Sequence, residues 1–264
     1  VTAQQEGKTP EQVAMEYHKL NSDSIERMGI SFDLFSHTHT EEHAEVALSI
    51  LKKLDDNGYI EPRISQEPYD PIANQFLPDR YVEGTCPHCK YESARGDQCD
   101  DCGKTLDSKE LINPRSKLNP DAKIEFRETE HLFFKLSEFR DVLLEWLSEG
   151  KGHWRPSVIN FTRNWLKEGL IDRAVTRDLD WGIEIPREGY ENKRIYVWFE
   201  AVMGYYSASV HWAKNQGKPD EWKKWWENED SEHYYFMAKD NIPFHTIIWP
   251  AMLSGCGYKL PYDV

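Results

Sequence analysis

Four cysteines stand close together in the stretch CPHCKYESARGDQCDDC. They form two Cys-x-x-Cys pairs, Cys86 with Cys89 and Cys99 with Cys102. Each such turn presents two sulfurs to one ion, and two turns complete the tetrahedron of thiolates that zinc favours. Because four protein ligands leave no open position for a substrate, the pattern predicts one structural zinc ion rather than a catalytic one.

Other interpretations of these cysteines are less favoured. A disulfide framework belongs to small secreted chains, whereas this chain has 264 residues and only 5 cysteines. A redox pair would not come as a duplicated unit. His88 lies inside the first turn and is expected to be a solvated neighbour rather than a ligand in place of one of the cysteines. Cys256, in the apolar context LSGCGY, is expected to be buried or half-buried and to take no part in the chemistry.

A second group of residues with chemical potential follows two predicted strands. The segments RIYVWFEA (194–201) and EHYYFMA (232–238) begin as apolar strands, and each leads into a helical pattern. The order strand, helix, strand, helix predicts a parallel α/β sheet. Ligands of such sheets bind at the carboxyl ends of the strands. The expected ligand site therefore lies at Trp198–Tyr205 and Ala238–His245.

Helices with clear start signals must position these groups. Thr9, Pro10 and Gln12 form a capping box with proline in the first turn, so a helix is predicted from there to about residue 28. Its 3.6-residue periodicity predicts a buried stripe. The stripe comprises Val13, Tyr17, Leu20 and Met28.

Three further helices are predicted from their amphipathic patterns and glycine stops. One runs through TEEHAEVALSILKKLDDNG, with acids early, lysines late and Gly58 as its end. The other two run through LSEFRDVLLEWLSEG and SVINFTRNWLKEG, ending at Gly150 and Gly169.

Composition narrows the class of protein. Hydrophobic residues make up 39% and aromatic residues 13%, which is enough for a core and unlike a disordered chain. No apolar run approaches the roughly 20 residues that span a bilayer, and residues 1–10 have no signal-peptide pattern. A cytoplasmic protein without membrane or DNA partners is expected. The net charge of −14 argues against a general nucleic-acid binder but leaves RNA open, because local patches matter more than the sum.

The sequence around the cysteines resembles a known family. The stretches YDPIANQFLPDRYVEGTCPHC, ESARGDQCDDCG and LINPRSKL resemble the connective-peptide insertion of methionyl-tRNA synthetases. The same family's order continues in RETEHLFFKLSEF, TRDLDWGIEIP, YVWFEAVMGYYSAS and FMAKDNIPFHTIIWPAML. The loop KDNIPFH is similar to the archaeal and eukaryotic branch. The resemblance covers essentially all of the chain.

The resemblance implies a class I aminoacyl-tRNA synthetase with a Rossmann-type catalytic domain. Residues 1–59 and 179–264 would be two parts of that α/β domain, and residues 60–178 the inserted domain with its zinc knuckle. Such an enzyme activates methionine with ATP and Mg²⁺ to methionyl-adenylate and then esterifies the 3′ end of tRNA(Met). No covalent nucleophile is implied, since this catalysis is largely positioning and charge stabilisation.

The resemblance also implies site residues. A methionine pocket needs apolar and aromatic faces around a thioether, with Tyr205 and His245 as the polar members that would recognise the sulfur. The implied pocket comprises Trp198, Ala201, Val202, Tyr205, Phe244, His245 and Trp249. The implied ATP-binding residues are Glu184, Ala238 and Asp240. Arg177 is implied as a catalytic cation near the reacting centre, with a helix-end ion pair as the alternative.

Three departures from the family pattern shape the expectations. Ala238 replaces the glycine that most relatives carry before Lys-Asp, and its methyl group could crowd the nucleotide. The segment SKLNPDAKIEF has no cysteine, so a second knuckle is not expected. The His-Ile-Gly-His and Lys-Met-Ser-Lys-Ser signatures do not occur in the chain. An internal fragment unable to aminoacylate alone is therefore expected.

Two alternative functions remain open from the residues. The first is a stand-alone zinc-knuckle module that binds RNA or protein without catalysis. Its candidate contacts are Lys90, Arg95, Lys104 and Arg115. The second is a sister class I synthetase for leucine, isoleucine or valine, which the aromatic pocket and the single knuckle disfavour.

Overall fold

The capping signals predicted from sequence form as expected. The computed structural model describes residues 2–78, 81–96, 99–102, 106–148 and 150–264, apart from the side chain of Gln4. The Thr9 N–H donates to Gln12 Oε1 at 2.9 Å, and the Gln12 N–H donates to Thr9 Oγ1 at 3.2 Å, which is a complete capping box. Helix α2 follows at Pro10–Arg27, after the short α1 at Thr2–Glu6.

The buried stripe predicted for α2 is wrong. None of the residues 10–27 is buried, and Val13 is only partly covered. Tyr17 and Leu20 are 52% and 57% exposed, and Met28 just beyond the helix is 74% exposed. An amphipathic pattern indicates which face is apolar, but burial needs a second element against that face. Among the described residues, Phe35 and His37 do contact the helix, but at His18, which is outside the predicted stripe.

The remaining helices match their predicted stretches. Helix α3 spans Glu41–Asp56, and its N-cap Thr40 accepts the His43 N–H at 3.1 Å. Gly58 follows it at φ +82°, a conformation that favours glycine. Helices α4 and α5 span Arg140–Ser148 and Pro156–Glu168. The later helices are α6 at Val197–Glu200, α7 at Gly204–Asn215, α8 at Lys223–Trp226 and α9 at Trp249–Gly255. No helix in the described ranges is both long and apolar enough to cross a membrane.

Nine strands form among the described residues. In chain order, β1 to β5 are Ile60–Asp70, Gln75–Phe76, Val82–Thr85, Ala94–Arg95 and Ile112–Ser116, and β6 to β9 are Glu125–Phe134, Arg173–Ala174, Thr176–Asp178 and Lys193–Ile195. The sheets have the orders β2-β1-β6-β7, β4-β3-β5 and β8-β9. The pairings of β3 with β4 and β5, of β1 with β2 and of β6 with β7 are antiparallel.

The predicted strand pair at 194–201 and 232–238 is not formed. The first segment leaves the strand conformation after Ile195 and becomes helix α6 at Val197. The second pairs at one point, where Tyr234 forms a parallel bridge with Asp263. A β-rich sequence becomes a strand only beside a partner that accepts and donates successive backbone hydrogen bonds. Here residues 262 and 263 supply that partner for a single step, through Tyr262 and Asp263 N–H bonds to the His233 carbonyl.

The chain divides into two compact units. The first comprises Val1–Tyr17, Pro62–His131 and Thr176–Arg194, and the second comprises His18–Glu61, Leu132–Val175 and Ile195–Val264. The first contains the cysteine cluster, whose small core gathers Leu77, Val82, Cys86, Ala94, Cys99, Leu106 and Leu111. Buried Asp70 steadies this region, since its carboxylate accepts hydrogen bonds from Ser116 and Asn119 side chains and from two backbone N–H groups.

The core of the second unit forms around the apolar face of α3. This face contributes Val46, Ala47, Ile50, Leu51 and Leu54, and α9 contributes Trp249, Ala251, Met252 and Leu253, all of them buried. At the end of α9, Gly255 allows close approach. A Cβ atom there would lie 2.7 Å from Leu54 Cδ2 and 2.9 Å from Phe139 Cζ.

We therefore expect Gly255→Ala to destabilise the second unit by about 1–3 kcal/mol, because the added methyl forces the packed side chains apart. The measurement is the unfolding free energy from denaturant titration. Gly152→Ala is the matched control, since a Cβ at Gly152 meets no atom within 4 Å. Equal stability of the two variants would contradict the close packing at Gly255.

Candidate functional site

The four knuckle cysteines form one metal-ligand cluster in the first unit. All four Sγ atoms lie within 4.8 Å of one another. Cys86 Sγ lies 3.9 Å from Cys102 Sγ, and Cys89 Sγ lies 3.5 Å from Cys99 Sγ. Sulfurs placed about 2.3 Å from a tetrahedral ion lie about 3.8 Å apart, whereas disulfide sulfurs lie about 2.05 Å apart. The spacing therefore fits four thiolates around one metal ion.

The backbone of the first turn presents its sulfurs inward. Cys86 leaves strand β3, and its N–H donates to the Tyr91 carbonyl at 2.8 Å while Lys90 N–H donates to the Cys86 carbonyl at 3.1 Å. Lys90 takes the left-handed conformation at φ +67° that closes this turn. Burial raises the pKa of the Cys86 thiol, but N–H groups of Cys89 and His88 donate to it, and the balance lowers its pKa to about 7. At Cys89 of the same turn a hydrogen bond from the Tyr91 backbone lowers the pKa, but burial and the neighbouring thiols raise it overall to about 12. Without a metal ion the turn therefore favours a thiolate at Cys86 only.

An aromatic cluster in the second unit contains most of the predicted pocket residues. The Trp198 ring faces the Phe244 ring at 5.3 Å between centroids, tilted by 32°. Tyr205 and His245 also meet, with Tyr205 Oη 2.7 Å from His245 Nε2. Trp198 is 37% exposed and Tyr205 is 41% exposed, so both present surface to a ligand. The fold thus brings α6, α7 and the segment after Asn241 together at one place.

The hydrogen bonds of His245 define its protonation. Its Nδ1 lies 2.8 Å from the Asn241 carbonyl oxygen, which can only accept, so Nδ1 carries the proton. In the neutral ring Nε2 is then an acceptor, and Tyr205 O–H donates to it. Burial lowers the pKa of His245, although the bond to Asn241 opposes this shift. Burial also raises the pKa of Tyr205. The pair is therefore neutral near pH 7.

The remaining predicted pocket residues lie deeper. Val202 is 4% exposed and Trp249 is fully buried, while Ala201 is half-buried in a 3₁₀ turn after α6. The Trp249 indole N–H donates to Tyr235 Oη at 3.0 Å. Trp249 thus supports the cluster from beneath through Tyr235.

Tyr235 is a member of this cluster that sequence reasoning missed. It is 7% exposed, and its ring meets the Tyr205 ring edge-on at 4.9 Å and lies 5.6 Å from His245. Burial raises its pKa. Within YYFMA the neighbours Tyr234 and Phe236 are 52% and 93% exposed. The period-2 alternation of an extended segment places Tyr235 on the opposite face from Tyr234 and Phe236, which was the one signal that the sequence offered.

A π-helical turn presents His245. It spans Phe244–Ile248 and leads directly into α9, where Pro250 lies in the first turn. Proline has no N–H to donate to the carbonyl four residues earlier, so the regular ladder is interrupted there. Single π turns of this kind are frequent at functional sites.

The predicted catalytic cation belongs to the first unit. Arg177 is half-buried on β8, and its Nη1 donates to the Thr176 carbonyl at 3.0 Å. The next residue, Asp178, accepts from Lys193 Nζ at 2.6 Å, and Lys193 also donates to Thr129 Oγ1 at 2.7 Å. Burial raises the pKa of Asp178, but hydrogen bonds from His131 and Lys193 lower it overall. This buried network, which sequence reasoning missed, fixes the strand that carries Arg177.

The predicted ATP-binding residues lie in both units. Glu184 is in the first unit with its side chain 82% exposed, and Arg194 Nη2 donates to it at 3.3 Å. Ala238 and Asp240 are exposed in the second unit, where Ala238 precedes a 3₁₀ turn at Lys239–Asn241. The Asn241 N–H donates to the Ala238 carbonyl at 2.9 Å. These roles remain predictions.

The lowered pKa of His245 predicts a pH dependence. Between its pKa values in the folded and unfolded states, the unfolded chain binds more protons at this position, so stability rises with pH. The contribution of neutral His245 to the unfolding free energy is complete above about pH 6.5, the ordinary histidine pKa. It is lost as pH falls through the lower pKa that His245 has in the folded state. We expect His245→Asn to flatten the unfolding free energy between pH 7 and 5 relative to the unchanged chain. Parallel curves for the two proteins would contradict this assignment.

Comparison with known proteins identifies the family. The family model for class I tRNA synthetases (M) matches residues 1–264. The chain belongs to the class I methionyl-tRNA synthetases. It is 57% identical over 265 residues to a methionine–tRNA ligase of Dehalococcoides mccartyi strain 195, and 49% identical over 265 residues to that of Thermoplasma volcanium. The alignments include the whole of this chain but only 47% and 48% of those two proteins. The chain therefore spans about half the length of these relatives.

Solved structures of the family share this fold. Mycobacterium tuberculosis methionyl-tRNA synthetase bound by methionyl-adenylate superposes with a TM-score of 0.69 over 99% of this chain and 45% of that one, at 20% identity. The predicted fold class, a class I synthetase catalytic domain with a cysteine knuckle, is confirmed. The interpretation as a stand-alone knuckle module finds no support, because the family match extends across 1–264. Of its candidate contacts, Lys104 lies outside the described residues.

Proposed function

We propose that the protein carrying this chain is a methionine–tRNA ligase, which activates methionine with ATP and Mg²⁺ and transfers it to tRNA(Met). The observation that carries this proposal is the 49–57% identity to methionine–tRNA ligases along the whole chain. A cytoplasmic location belongs to the same proposal, since that is where the charged tRNA is used.

The aromatic cluster of the second unit suits a methionine side chain. A thioether is a weak hydrogen-bond acceptor, so it is recognised by apolar and aromatic surfaces and by sulfur–aromatic contact. Trp198 and Phe244 offer two adjacent ring faces. Tyr205 O–H donates a hydrogen bond to Nε2 of neutral His245, and this bond fixes the orientation of the Tyr205 side chain. We propose that Ala201 lines this pocket and that Val202 and Trp249 form its buried base, Trp249 through its hydrogen bond to Tyr235.

The roles in the first unit are proposed from the family resemblance. The methionine carboxylate attacks the α-phosphorus of ATP and diphosphate leaves, so a cation that stabilises the developing charge is needed. Arg177 on the rigid strand β8 is the proposed cation. Glu184 and Asp240 are proposed to meet the ribose hydroxyls, with Ala238 beside the nucleotide.

The cysteine cluster is proposed to hold Zn²⁺. Four thiolates are the ligand set typical of structural zinc, and their spacing fits a tetrahedral ion. When bound, the ion supplies structural cross-linking and leaves no open coordination position. The proposed task of the knuckle is to hold residues 60–178 in shape near the tRNA acceptor end.

The decisive experiment is amino-acid-dependent exchange of labelled diphosphate into ATP, measured on the full-length protein that contains this chain. Exchange with methionine and none above background with leucine, isoleucine or valine is expected. Exchange driven by one of those three, or by none of the four, would overturn the proposal. Charging of a methionine tRNA transcript then tests the transfer step.

A further inference from the structure

One buried histidine of the second unit connects two points of the pocket segment. His43 lies in the first turn of α3 and is fully buried. Its Nε2 lies 2.6 Å from Glu200 Oε2, and its Nδ1 lies 2.8 Å from Ser207 Oγ. Glu200 and Ser207 are themselves 7% and 4% exposed. A single imidazole thus ties α3 to both the end of α6 and the first turns of α7.

These hydrogen bonds are complete in either protonation state of His43. An ionised Glu200 accepts from Nε2–H, and in the neutral ring Nδ1 then accepts from Ser207 O–H. In the doubly protonated ring Nδ1–H donates to Ser207 Oγ, and Ser207 O–H turns to the Gly204 carbonyl, which lies 3.2 Å away. Ser207 therefore serves as either donor or acceptor. The tie persists in both states.

The two residues that His43 bonds lie within the segment that carries most of the proposed methionine-binding residues. Between and beside these two residues lie Trp198, Ala201, Val202 and Tyr205, four of the seven proposed methionine-binding residues. This stretch changes from α6 to a 3₁₀ turn at Ala201–Met203 and then to α7, so its own helical hydrogen bonds do not form one continuous ladder. The hydrogen bonds of His43 to Glu200 and Ser207 restrict this irregular stretch at two points.

We propose that His43 is a positioning residue that fixes the pocket segment 198–207 for methionine binding. This inference rests on the proposed function. A buried polar network seldom adds net stability over apolar packing of the same volume, whereas it does restrict geometry. His43 touches no substrate in this proposal. It acts through Glu200 and Ser207 on Trp198 and Tyr205.

Two substitutions separate the two bonds. In His43→Gln the amide nitrogen takes the place of Nε2, so the bond to Glu200 is kept and the bond to Ser207 is lost. In His43→Asn the amide takes the place of Nδ1, so the bond to Ser207 is kept and Glu200 is left unpaired. Lys214→Met is the matched control, since it removes another α3–α7 contact, Lys214 Nζ to Glu42 at 2.6 Å, outside the pocket segment.

Hydrogen–deuterium exchange and exchange kinetics of the full-length protein test the proposal. We expect His43→Asn to speed amide exchange in residues 197–208 and to raise the methionine KM about tenfold, with the ATP KM within about twofold. His43→Gln should have a smaller effect, and Lys214→Met none on the methionine KM. Ser207→Ala removes the hydrogen bond between His43 and Ser207 by deleting a single oxygen atom. It is the variant to measure if the His43 variants fold poorly.

Two results would overturn the inference. One is unchanged amide protection of 197–208 in His43→Asn and Ser207→Ala. The other is a lowered melting temperature with an unaltered methionine KM, which would make His43 a purely structural residue. Failure of the proposed function is distinguishable, because the unsubstituted protein would then show no methionine-dependent exchange while the amide measurement still reports on the tie.

Discussion

Replacing Cys86 with serine is expected to abolish metal binding and to unfold the region around strands β3, β4 and β5. Structural zinc contributes roughly 10–16 kcal/mol in small zinc domains, which exceeds the stability of most domains. Cys86 is fully buried and belongs to the local core with Val82, Leu106 and Leu111. Loss of one thiolate therefore removes a ligand and places an uncoordinated hydroxyl in that core.

Metal analysis and limited proteolysis check this expectation. The unsubstituted protein should contain one equivalent of zinc, and Cys86→Ser close to none, with new cleavage within residues 81–124. Cys256→Ser is the control, because Cys256 is the fifth cysteine, buried in the second unit, where burial raises its pKa to about 11. It should retain the metal. Two equivalents of zinc in the unsubstituted protein, or full metal content in Cys86→Ser, would contradict the four-thiolate site.

Trp198→Ala is expected to produce the largest loss of methionine affinity among the pocket variants. The indole is 37% exposed and lies beside Phe244, so a bound side chain would cover part of its exposed surface. Removing a large aromatic surface from a pocket costs roughly 2–3 kcal/mol, which corresponds to a rise of about 30–150-fold in the methionine KM. Folding should change little, since the ring is already partly exposed.

The measurement is methionine-dependent diphosphate exchange at several methionine concentrations, with ATP saturating. Trp225→Ala is the matched control, because Trp225 has the same 37% exposure in the same unit but packs on Trp212, at 5.1 Å and away from Phe244. The control should retain the unsubstituted KM. A methionine KM that rises equally in both variants would show that general loss of packing, rather than the pocket, is responsible.

Several structural features were predictable because their causes are local. The capping box at Thr9 and Gln12 and the cap of α3 at Thr40 depend on residues within one turn, and both form. The knuckle was predictable for the same reason, since two Cys-x-x-Cys turns bring their own sulfurs inward. The family could also be predicted from sequence, because several long stretches match the family's sequence in the same order along the chain.

Features that depend on distant partners were not predictable from local pattern. The pattern of α2 predicts a buried stripe, but its residues are exposed or only partly covered, because periodicity does not specify what covers a face. Segment 232–238 reads as a strand but forms one bridge, because a strand requires a neighbour in register. Tyr235 was missed since its partners, Tyr205 and Trp249, lie elsewhere in the chain.

By itself, the sequence determined the four cysteines of the candidate metal site, the family and the aromatic character of segment 198–207, since these are properties of residue type and spacing. Only the tertiary structure decided that His245 is held neutral between Asn241 and Tyr205, and that His43 joins Glu200 to Ser207. Those bonds connect residues 40 to 164 positions apart along the chain, or depend on one π turn. The bond between His245 and Asn241 is local. No local pattern encodes the three long-range bonds, because they result from how whole helices pack against each other.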